Sequence, residues 1–205
     1  DFIKNILVGK LNARLVVAGY DYKFGHKGKG DVKTLVEYGK KYNLKVIIIS
    51  PIKVDNIIVS STKIREYISK GDMEKVFKLL GRHYSITGEV QTGRQMGGKI
   101  GCPTANLHPE SGLALPQKGV YITKTLLDGD FYPSITNVGK NPTFGNNSDI
   151  KVETHIINFD RNIYNRNLEV FFLERLRGEK RYKSPAELTR QIYSDIEAAK
   201  KYFGI

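Results

Sequence analysis

The chain has 205 residues and a mass of 23.2 kDa, which suits two modest domains. Hydrophobic residues make up 40% and charged residues 26% of it, a composition that excludes disordered, collagen-like and coiled-coil proteins. Because no apolar run approaches the roughly 20 residues that span a bilayer, we expect a cytoplasmic protein. A single cysteine, Cys102, excludes a fold that is held together by internal disulfides.

The net charge of +12 suits a polyanionic partner such as a nucleotide or a nucleic acid. Most of the excess is N-terminal, since residues 1–80 hold 16 basic and 8 acidic residues, and residues 81–205 hold 17 and 13. No block of basic residues is interleaved with aromatic residues as in nucleic-acid modules. The charge alone therefore leaves both a solvated basic surface and a specific anionic partner open.

The first 81 residues have an α/β pattern. Apolar runs at residues 15–18 and 45–49 predict two strands, and residues 32–42 predict the helix between them, which together make a parallel βαβ unit. Further along, Ser60-Ser61-Thr62 precedes a predicted helix over residues 63–69. A second helix over residues 72–80 ends at Gly81, so we place a domain boundary between residues 81 and 82.

The second half of the chain has the pattern of a small β-protein. Strands are predicted at residues 85–90, 119–127, 152–157 and 168–173, separated by Gly, Asn and Asp turns, and antiparallel strands of this length favour a closed barrel. The capping box Ser184-Pro185-Ala186-Glu187 then begins a C-terminal helix. One apolar stripe of this helix, which we expect to lie on the barrel, consists of Leu188, Ile192, Ile196, Ala199 and Phe203.

A glycine-rich basic segment follows the first of these predicted strands. Small residues at Gly93, Gly97 and Gly98 let backbone amides approach a phosphate, and Lys99 supplies positive charge. The glycine spacing matches neither the Walker loop nor the dinucleotide fingerprint. A loop without a ligand would have the same composition, so the segment by itself leaves phosphate binding open.

Two oxygen-bearing side chains come next, in Pro103-Thr104-Ala105-Asn106. Thr104 and Asn106 are two residues apart on an extended strand, so they lie on the same face. A hydroxyl and an amide carbonyl are hard oxygen donors that suit Mg²⁺ beside a nucleotide. An ordinary Thr and Asn pair at a strand edge remains the alternative.

Glu153 is the candidate general base. Strand alternation places Val152 and Thr154 on one face and Glu153 and His155 on the other. Phosphoryl transfer needs a carboxylate that orients or deprotonates an attacking hydroxyl, but a carboxylate on a barrel strand is also often only solvated. The polar turn at residues 136–145 either lines a pocket or only connects two strands.

Five motifs in this order resemble the riboflavin kinase domain, over roughly residues 82–205. They are Gly101-x-Pro103-Thr104-Ala105-Asn106-Leu107, Gly119-Val120-Tyr121, Asn137-x-Gly139-x-x-Pro142-Thr143, Glu153-Thr154-His155 with Asp160 and Tyr164, and Leu176-Arg177-x-Glu179. Upstream, two segments resemble the later part of the FMN adenylyltransferase domain that is fused to that kinase in the bacterial bifunctional FAD synthetases. They are Gly19-Tyr20-Asp21-Tyr22-x-Phe24-Gly25 and Ser60-Ser61-Thr62-x-Ile64-Arg65.

The resemblance implies an α/β part of a nucleotidyltransferase-type Rossmann-like domain (residues 1–81), followed by a riboflavin kinase β-barrel with a C-terminal helix (residues 82–205). The implied reaction is ATP-dependent phosphorylation of the riboflavin 5′-hydroxyl, which gives FMN and ADP. Thr104 and Asn106 would hold ATP with Mg²⁺ or another divalent cation, Glu153 would be the catalytic base, and Arg177 and Glu179 would lie near the flavin. The residues implied to contact ATP and its phosphates are Gly93, Gly97, Gly98, Lys99, Gly101, Pro103, Thr104 and Asn106.

The upstream half departs from its family pattern. Adenylyl transfer of this kind needs an H-x-G-H motif, and the histidines, His26, His83, His108 and His155, do not form one. We therefore expect an N-terminally incomplete adenylyltransferase domain and no FAD synthesis by this chain. By resemblance, the residues retained from that site are Ser61, Thr62 and Arg65 for a phosphate at a helix N-terminus, and Asp21 and Phe24 for FMN.

Two other function classes remain open. A flavin-binding protein without turnover would bind flavin and consume no ATP, and a basic barrel that binds nucleic acid would lose affinity steeply with added salt. We expect riboflavin and ATP as partners, rather than nucleic acid or a membrane. An incomplete α/β sheet also leaves an edge and an apolar face uncovered, which predicts self-association through residues 1–81.

Overall fold

The structure is a computed structural model that describes residues 1–92, 101–109, 112–140 and 150–205. These residues form two compact units, Asp1–Val59 and Ser60–Ile205. Searched over the described part of the chain, the helices include none with the length and apolar character that a membrane crossing requires.

The N-terminal unit contains the predicted βαβ arrangement. Strand β1 (Leu15–Gly19) lies parallel to β2 (Lys45–Ile49), and helix α1 (Val32–Lys41) connects them. The unit also holds a π-helix over Phe2–Lys10, a 3-10 turn over His26–Gly28, and a short hairpin of β3 (Lys53–Val54) and β4 (Ile57–Ile58).

Helix α1 begins at an Asp cap. One carboxylate oxygen of Asp31 accepts hydrogen bonds from the backbone N and from the hydroxyl of Thr34, both at 2.9 Å. These bonds favour the charged form and lower the pKa of Asp31. Apolar residues of α1, β1 and the π-helix, with Leu44 ahead of β2, form the core of this unit: Ile3, Ala18, Leu35 and Leu44.

The C-terminal unit begins with two short helices, α2 (Ser61–Lys70) and α3 (Met73–Leu80). Ser60 caps α2 by accepting a hydrogen bond from the Lys63 backbone N at 3.2 Å, so the helix begins two residues before its predicted start. Each helix ends at a glycine in the left-handed region, Gly71 at φ 71° and Gly81 at φ 73°, as expected of C-terminal caps.

Both helices belong to the same compact unit as the barrel. Met73 of α3 is part of the barrel's apolar core, and the Ile68 carbonyl of α2 accepts a hydrogen bond from the Gln117 backbone N at 3.1 Å. Along the chain, the boundary between the two units therefore lies between Val59 and Ser60. The domain boundary that the sequence predicts between residues 81 and 82 remains a proposal.

Six antiparallel strands of the described residues close into a barrel in the order β10-β5-β6-β9-β8-β7, as predicted. The bounds of these strands are Tyr84–Gln91 (β5), Ala105–Pro109 (β6), Gly119–Leu127 (β7), Asp130–Lys140 (β8), Ile150–Ile156 (β9) and Asn167–Arg177 (β10). Strand β6 contains Asn106, whereas Thr104, which the sequence predicts on the same strand, lies one residue before its start.

The barrel interior contains hydroxyl groups as well as apolar side chains. Thr125, Ser134, Thr123, Thr136 and Thr154 are fully buried and form a chain of hydrogen bonds of 2.8–2.9 Å across β7, β8 and β9. Each hydroxyl has a partner, so the desolvation cost of these polar groups is offset. The apolar core that surrounds them includes Ile86, Val90, Leu107, Tyr121, Val138, Val152 and Phe172.

The C-terminal helix α4 (Pro185–Phe203) packs on the outside of the barrel. Ser184 accepts a hydrogen bond from the Glu187 backbone N at 3.3 Å, which confirms the cap. The Glu187 carboxylate in turn accepts a hydrogen bond of 3.0 Å from the backbone N of Lys183, the residue before the cap. The predicted stripe contacts outward-facing residues of the barrel through Ile192, Ile196, Ala199 and Phe203, whereas Leu188 is 37% exposed.

Candidate active site

Three polar residues lie side by side on the outer surface of the barrel. In the strand register, Glu153 of β9 pairs with Asn106 of β6 on one side and with Asn137 of β8 on the other. Directly opposed residues of antiparallel strands point to the same face, with Cβ atoms about 5 Å apart. We call Asn106, Glu153 and Asn137 the polar row.

The predicted alternation around Glu153 is confirmed. Val152 and Thr154 are fully buried inside the barrel, while Glu153 and His155 are half-buried on the opposite face. The carboxylate therefore lies where a ligand on the outer surface can reach it, and not in the core.

Thr104 lies one residue before β6. Ala105 and Leu107 are buried and Thr104 and Asn106 are half-buried, so the alternation continues through Thr104 and places its side chain on the face of the polar row. Two neutral oxygen donors beside the Glu153 carboxylate suit Mg²⁺, which takes few protein ligands and keeps water and phosphate oxygens in its shell. The part of the chain that the structure describes contains no group of three or more His, Cys, Asp and Glu arranged for a metal, so a metal here would depend on these oxygens.

His155 is bonded to the segment that carries Thr104. Its Nδ1 lies 2.8 Å from the carbonyl oxygen of Pro103. A carbonyl only accepts, so this geometry assigns the proton to Nδ1. A structural hydrogen bond is the ordinary role of a histidine at such a position, but the sequence does not identify its partner.

A cavity of about 310 Å³ adjoins Thr104. One side of it is the segment that follows β9, and the other is the end of the barrel. Its lining residues are Val90, Pro103, Thr104, Ala105, Thr154, Ile156 and the segment 159–164. A second cavity of about 430 Å³ is lined by residues of α1 and by Ile48 in the N-terminal unit, and its lining residues include none of the predicted site residues.

The segment 159–164 is a functional candidate that the sequence reasoning had noted only as two motif positions, Asp160 and Tyr164. The guanidinium of Arg161 lies 4.9 Å from the ring centre of Phe159 and donates a hydrogen bond of 2.6 Å to the Tyr132 hydroxyl. These contacts attach the segment to the barrel. The spacing of the two motif positions was the signal in the sequence, but their distance from Thr104 along the chain hid their place in the same cavity wall.

Glu179, predicted near the flavin, lies next to the polar row. A Cβ atom at Gly139 would be 2.6 Å from a Glu179 carboxylate oxygen and 3.4 Å from the Asn137 amide nitrogen. Glycine at this position is therefore what lets the Glu179 carboxylate approach the end of β8.

Arg177, the other residue predicted near the flavin, is held by α4. Its Nε and Nη2 donate to the Asp195 carboxylate at 2.7–3.1 Å, and its Nη1 donates to the Gly178 carbonyl at 3.2 Å. Gln191 donates to the same carboxylate at 3.0 Å. The structure thus gives Arg177 a partner that the sequence reasoning missed, since Asp195 is 18 residues away.

Several predicted residues lie outside the described part of the chain: Gly93, Gly97, Gly98, Lys99 and the turn at residues 141–145. Gly101 is described, and its φ of +75° is in the left-handed region. In the N-terminal unit, the ring of Phe24 stacks on Tyr22 with centres 5.8 Å apart, and Asp21 lies in the turn after β1. Ser61 and Thr62 form the first turn of α2, and Arg65 follows in the same helix.

Comparison with known proteins gives two family matches. The model described as riboflavin kinase matches residues 80–203, and the model described as FAD synthetase matches residues 1–63. The first match contains the whole barrel, the polar row and all of α4. The chain belongs to the riboflavin kinase family.

Its relatives include bifunctional riboflavin kinase/FMN adenylyltransferases. The protein of that name from Buchnera aphidicola subsp. Schizaphis graminum is 40% identical over all of this chain, and the one from Haemophilus influenzae is 35% identical over 98% of it. The chain spans 66% and 65% of their lengths, respectively. A crystal structure from Streptococcus pneumoniae, named as a macrolide-efflux protein, is 32% identical to this chain, with a TM-score of 0.86. The match covers 97% of this chain and 64% of that protein's chain.

The family matches agree with the two motif groups of the sequence analysis. The riboflavin kinase match contains Thr104, Asn106, Glu153, Arg177 and Glu179. The FAD synthetase match contains Asp21, Phe24, Ser61 and Thr62, and ends before Arg65.

Proposed function

We propose that this chain phosphorylates the riboflavin 5′-hydroxyl with ATP, producing FMN and ADP. The observation that carries the proposal is the polar row, in which a half-buried glutamate lies between two asparagines on a barrel of the riboflavin kinase family. Phosphoryl transfer asks the protein mainly to position the nucleophile and to balance charge. One carboxylate base together with one metal site would suffice for both tasks.

Glu153 is assigned the role of general base. Its carboxylate accepts the proton of the attacking 5′-hydroxyl as the oxygen bonds to the γ-phosphorus and the bond to the ADP oxygen breaks. Thr104 and Asn106 are the residues that would hold Mg²⁺ with the nucleotide, and the metal would supply positive charge next to the phosphates. The negative charge of the adjacent Glu153 carboxylate favours the binding of a cation at this position.

The cavity beside Thr104 is assigned to part of the ATP molecule. Its wall combines apolar residues such as Val90 and Ile156 with the polar segment 159–164, the mixture that ligand sites use for burial and orientation. Glu179 next to Gly139 is proposed to contact the flavin. Arg177 is proposed to support that contact, because its guanidinium fixes the start of the loop through Asp195.

The test is incubation of the purified chain with riboflavin and Mg-ATP, followed by chromatographic separation of FMN and FAD. We expect FMN, and we expect no FAD because these 205 residues contain no H-x-G-H motif. Tight flavin binding without ATP consumption would instead support the flavin-binding protein without turnover. Affinity for nucleic acid that falls steeply with salt would support the basic barrel.

Two further proposals concern the setting of the enzyme. We propose the cytoplasm as its compartment, because the proposed reaction consumes ATP.

We also propose that the chain self-associates through the N-terminal unit. One face of its β1–β2 sheet exposes four large apolar side chains, Leu15, Val17, Ile47 and Ile49, and parallel sheets usually have both faces covered.

A further inference from the structure

We propose that His155 is a positioning residue that fixes the backbone ahead of Thr104, and so sets the affinity for Mg-ATP without contacting the flavin. The inference rests on the proposed kinase function, because that function gives Thr104 its role. It starts from a single contact, the hydrogen bond of 2.8 Å from His155 Nδ1 to the carbonyl oxygen of Pro103.

The strand register shows why this bond is needed. The ladder between β6 and β9 pairs Leu107 with Val152, Asn106 with Glu153 and Ala105 with Thr154, and it ends there. Pro103 has no backbone N–H and cannot extend an antiparallel ladder. The imidazole of His155 reaches the Pro103 carbonyl and supplies from a side chain the link that the backbone lacks.

Thr104 therefore lies between two fixed points. On its C-terminal side Ala105 is paired in the ladder, and on its N-terminal side the Pro103 carbonyl is bonded to His155. Without the second point, the nearest anchor on the N-terminal side of Thr104 would be Cys102, two residues away. A misplacement of about 1 Å in a group that orients a substrate is enough to cost a large factor in rate.

The residues before Pro103 are attached to a different element, helix α4. Cys102 is buried together with Ile196 and Ala199, and its thiol is hydrogen-bonded to the side chain of Tyr193. This attachment holds Cys102 but leaves the Pro103 carbonyl dependent on His155. The two contacts make separate contributions, so a change at His155 is expected to loosen Thr104 while α4 stays in place.

Two substitutions separate the hydrogen bond from the bulk of the side chain. The amide nitrogen of Asn is the same number of bonds from Cβ as Nδ1, whereas the amide nitrogen of Gln matches Nε2. His155→Asn can therefore donate to Pro103 in place of the imidazole, and His155→Gln places its donor one bond too far out. Both variants keep a neutral polar side chain at a half-buried position, and thermal melts will verify that both are folded.

Steady-state kinetics and calorimetric titration with Mg-ATP in the absence of riboflavin give the decisive readouts. We expect His155→Gln to raise the KM and the Kd for Mg-ATP about tenfold, the value of one hydrogen bond, with an unchanged KM for riboflavin. We expect His155→Asn to remain within about threefold of wild type. Hydrogen exchange of the peptide that contains Thr104 should be faster in His155→Gln than in His155→Asn.

Three results would overturn the inference: equal Mg-ATP affinity in all three proteins, equal loss in both variants, or a change confined to the riboflavin KM. Failure of the proposed function is a separate result, since it is seen as absence of FMN with the wild-type chain. In that case the calorimetric and hydrogen-exchange comparisons still test whether His155 holds this segment.

Discussion

At the residue scale, the pair of Arg177 and Asp195 is the most enclosed ion pair of the described residues. The Asp195 side chain is 6% exposed and the Arg177 side chain 22% exposed, and three hydrogen bonds join them. Removing one partner of such a pair leaves the other desolvated without compensation, which costs more than the pair itself contributes. The pair attaches the loop that carries Glu179 to helix α4.

We therefore expect Asp195→Ala to lower the free energy of unfolding by about 3 kcal/mol, measured by urea denaturation. The control on the same helix is Glu197→Ala, which removes the exposed pair between Glu197 and Lys200 and should cost less than about 0.5 kcal/mol. Equal losses of unfolding free energy in the two variants would show that the enclosed pair stabilises the fold no more than the exposed one.

At the element scale, helix α4 shows how far an apolar pattern predicts burial. Its stripe repeats at helical spacing from Leu188 to Phe203, yet Leu188 is 37% exposed while Ile196 is 5% exposed. The difference arises because Leu188 is in the first turn, where the helix has only begun to cross the barrel. Hydrophobic spacing defines a face of the helix, but the position of the surface that it meets decides where that face is covered.

Matched truncations test this difference. We expect Ile196→Ala to cost about 3 kcal/mol through lost burial and a residual cavity, and Leu188→Ala to cost less than about 1 kcal/mol. The measurement is urea denaturation of both variants against wild type. A larger loss in Leu188→Ala would mean that the first turn is packed more tightly than its exposure indicates.

Local patterns predicted the elements well. The two N-terminal strands, the helix between them, the barrel strands other than β8 and the cap at Ser184 follow from alternation, turn residues and capping chemistry, which depend on neighbours along the chain. Strand β8 is not predicted, and the polar turn predicted at residues 136–145 is wrong over residues 136–140, which are the end of that strand. Strand alternation also predicts that Glu153 and His155 lie on one face of β9 and Val152 and Thr154 on the other.

The remaining features depend on contacts between distant residues. The polar row requires the register of three strands, the bond from His155 to Pro103 joins residues 52 positions apart, and the wall formed by segment 159–164 is made only when the barrel closes. None of these contacts leaves a periodic signal in the sequence. Composition and spacing named Thr104 and Glu153, but only the register shows that Asn137 completes their surface.

At the scale of the whole molecule, the N-terminal unit exposes an apolar face. Val17 is 56% and Ile49 49% exposed, and they project from the same face of the parallel pair β1–β2. Contiguous apolar surface of this kind marks a site of association.

We expect the wild-type chain to show a mass that rises with concentration in sedimentation velocity, and the double variant Val17→Lys, Ile49→Lys to remain monomeric over the same range. Ile205→Lys is the control, since Ile205 is 60% exposed at the end of the barrel unit and its substitution should leave the association unchanged. A monomeric wild type at all concentrations would contradict the proposal of self-association.

The central claim is that Glu153 of the polar row acts as the base in riboflavin phosphorylation, and kcat for FMN formation in Glu153→Gln tests it most directly. The control is Glu169→Gln, since Glu169 is also half-buried, on β10. Its carboxylate accepts a hydrogen bond of 2.6 Å from the Ser85 hydroxyl, and Ser85 is not one of the proposed site residues. We predict a loss of about 10²- to 10⁴-fold in Glu153→Gln with little change in Glu169→Gln. Wild-type kcat in Glu153→Gln would contradict the claim.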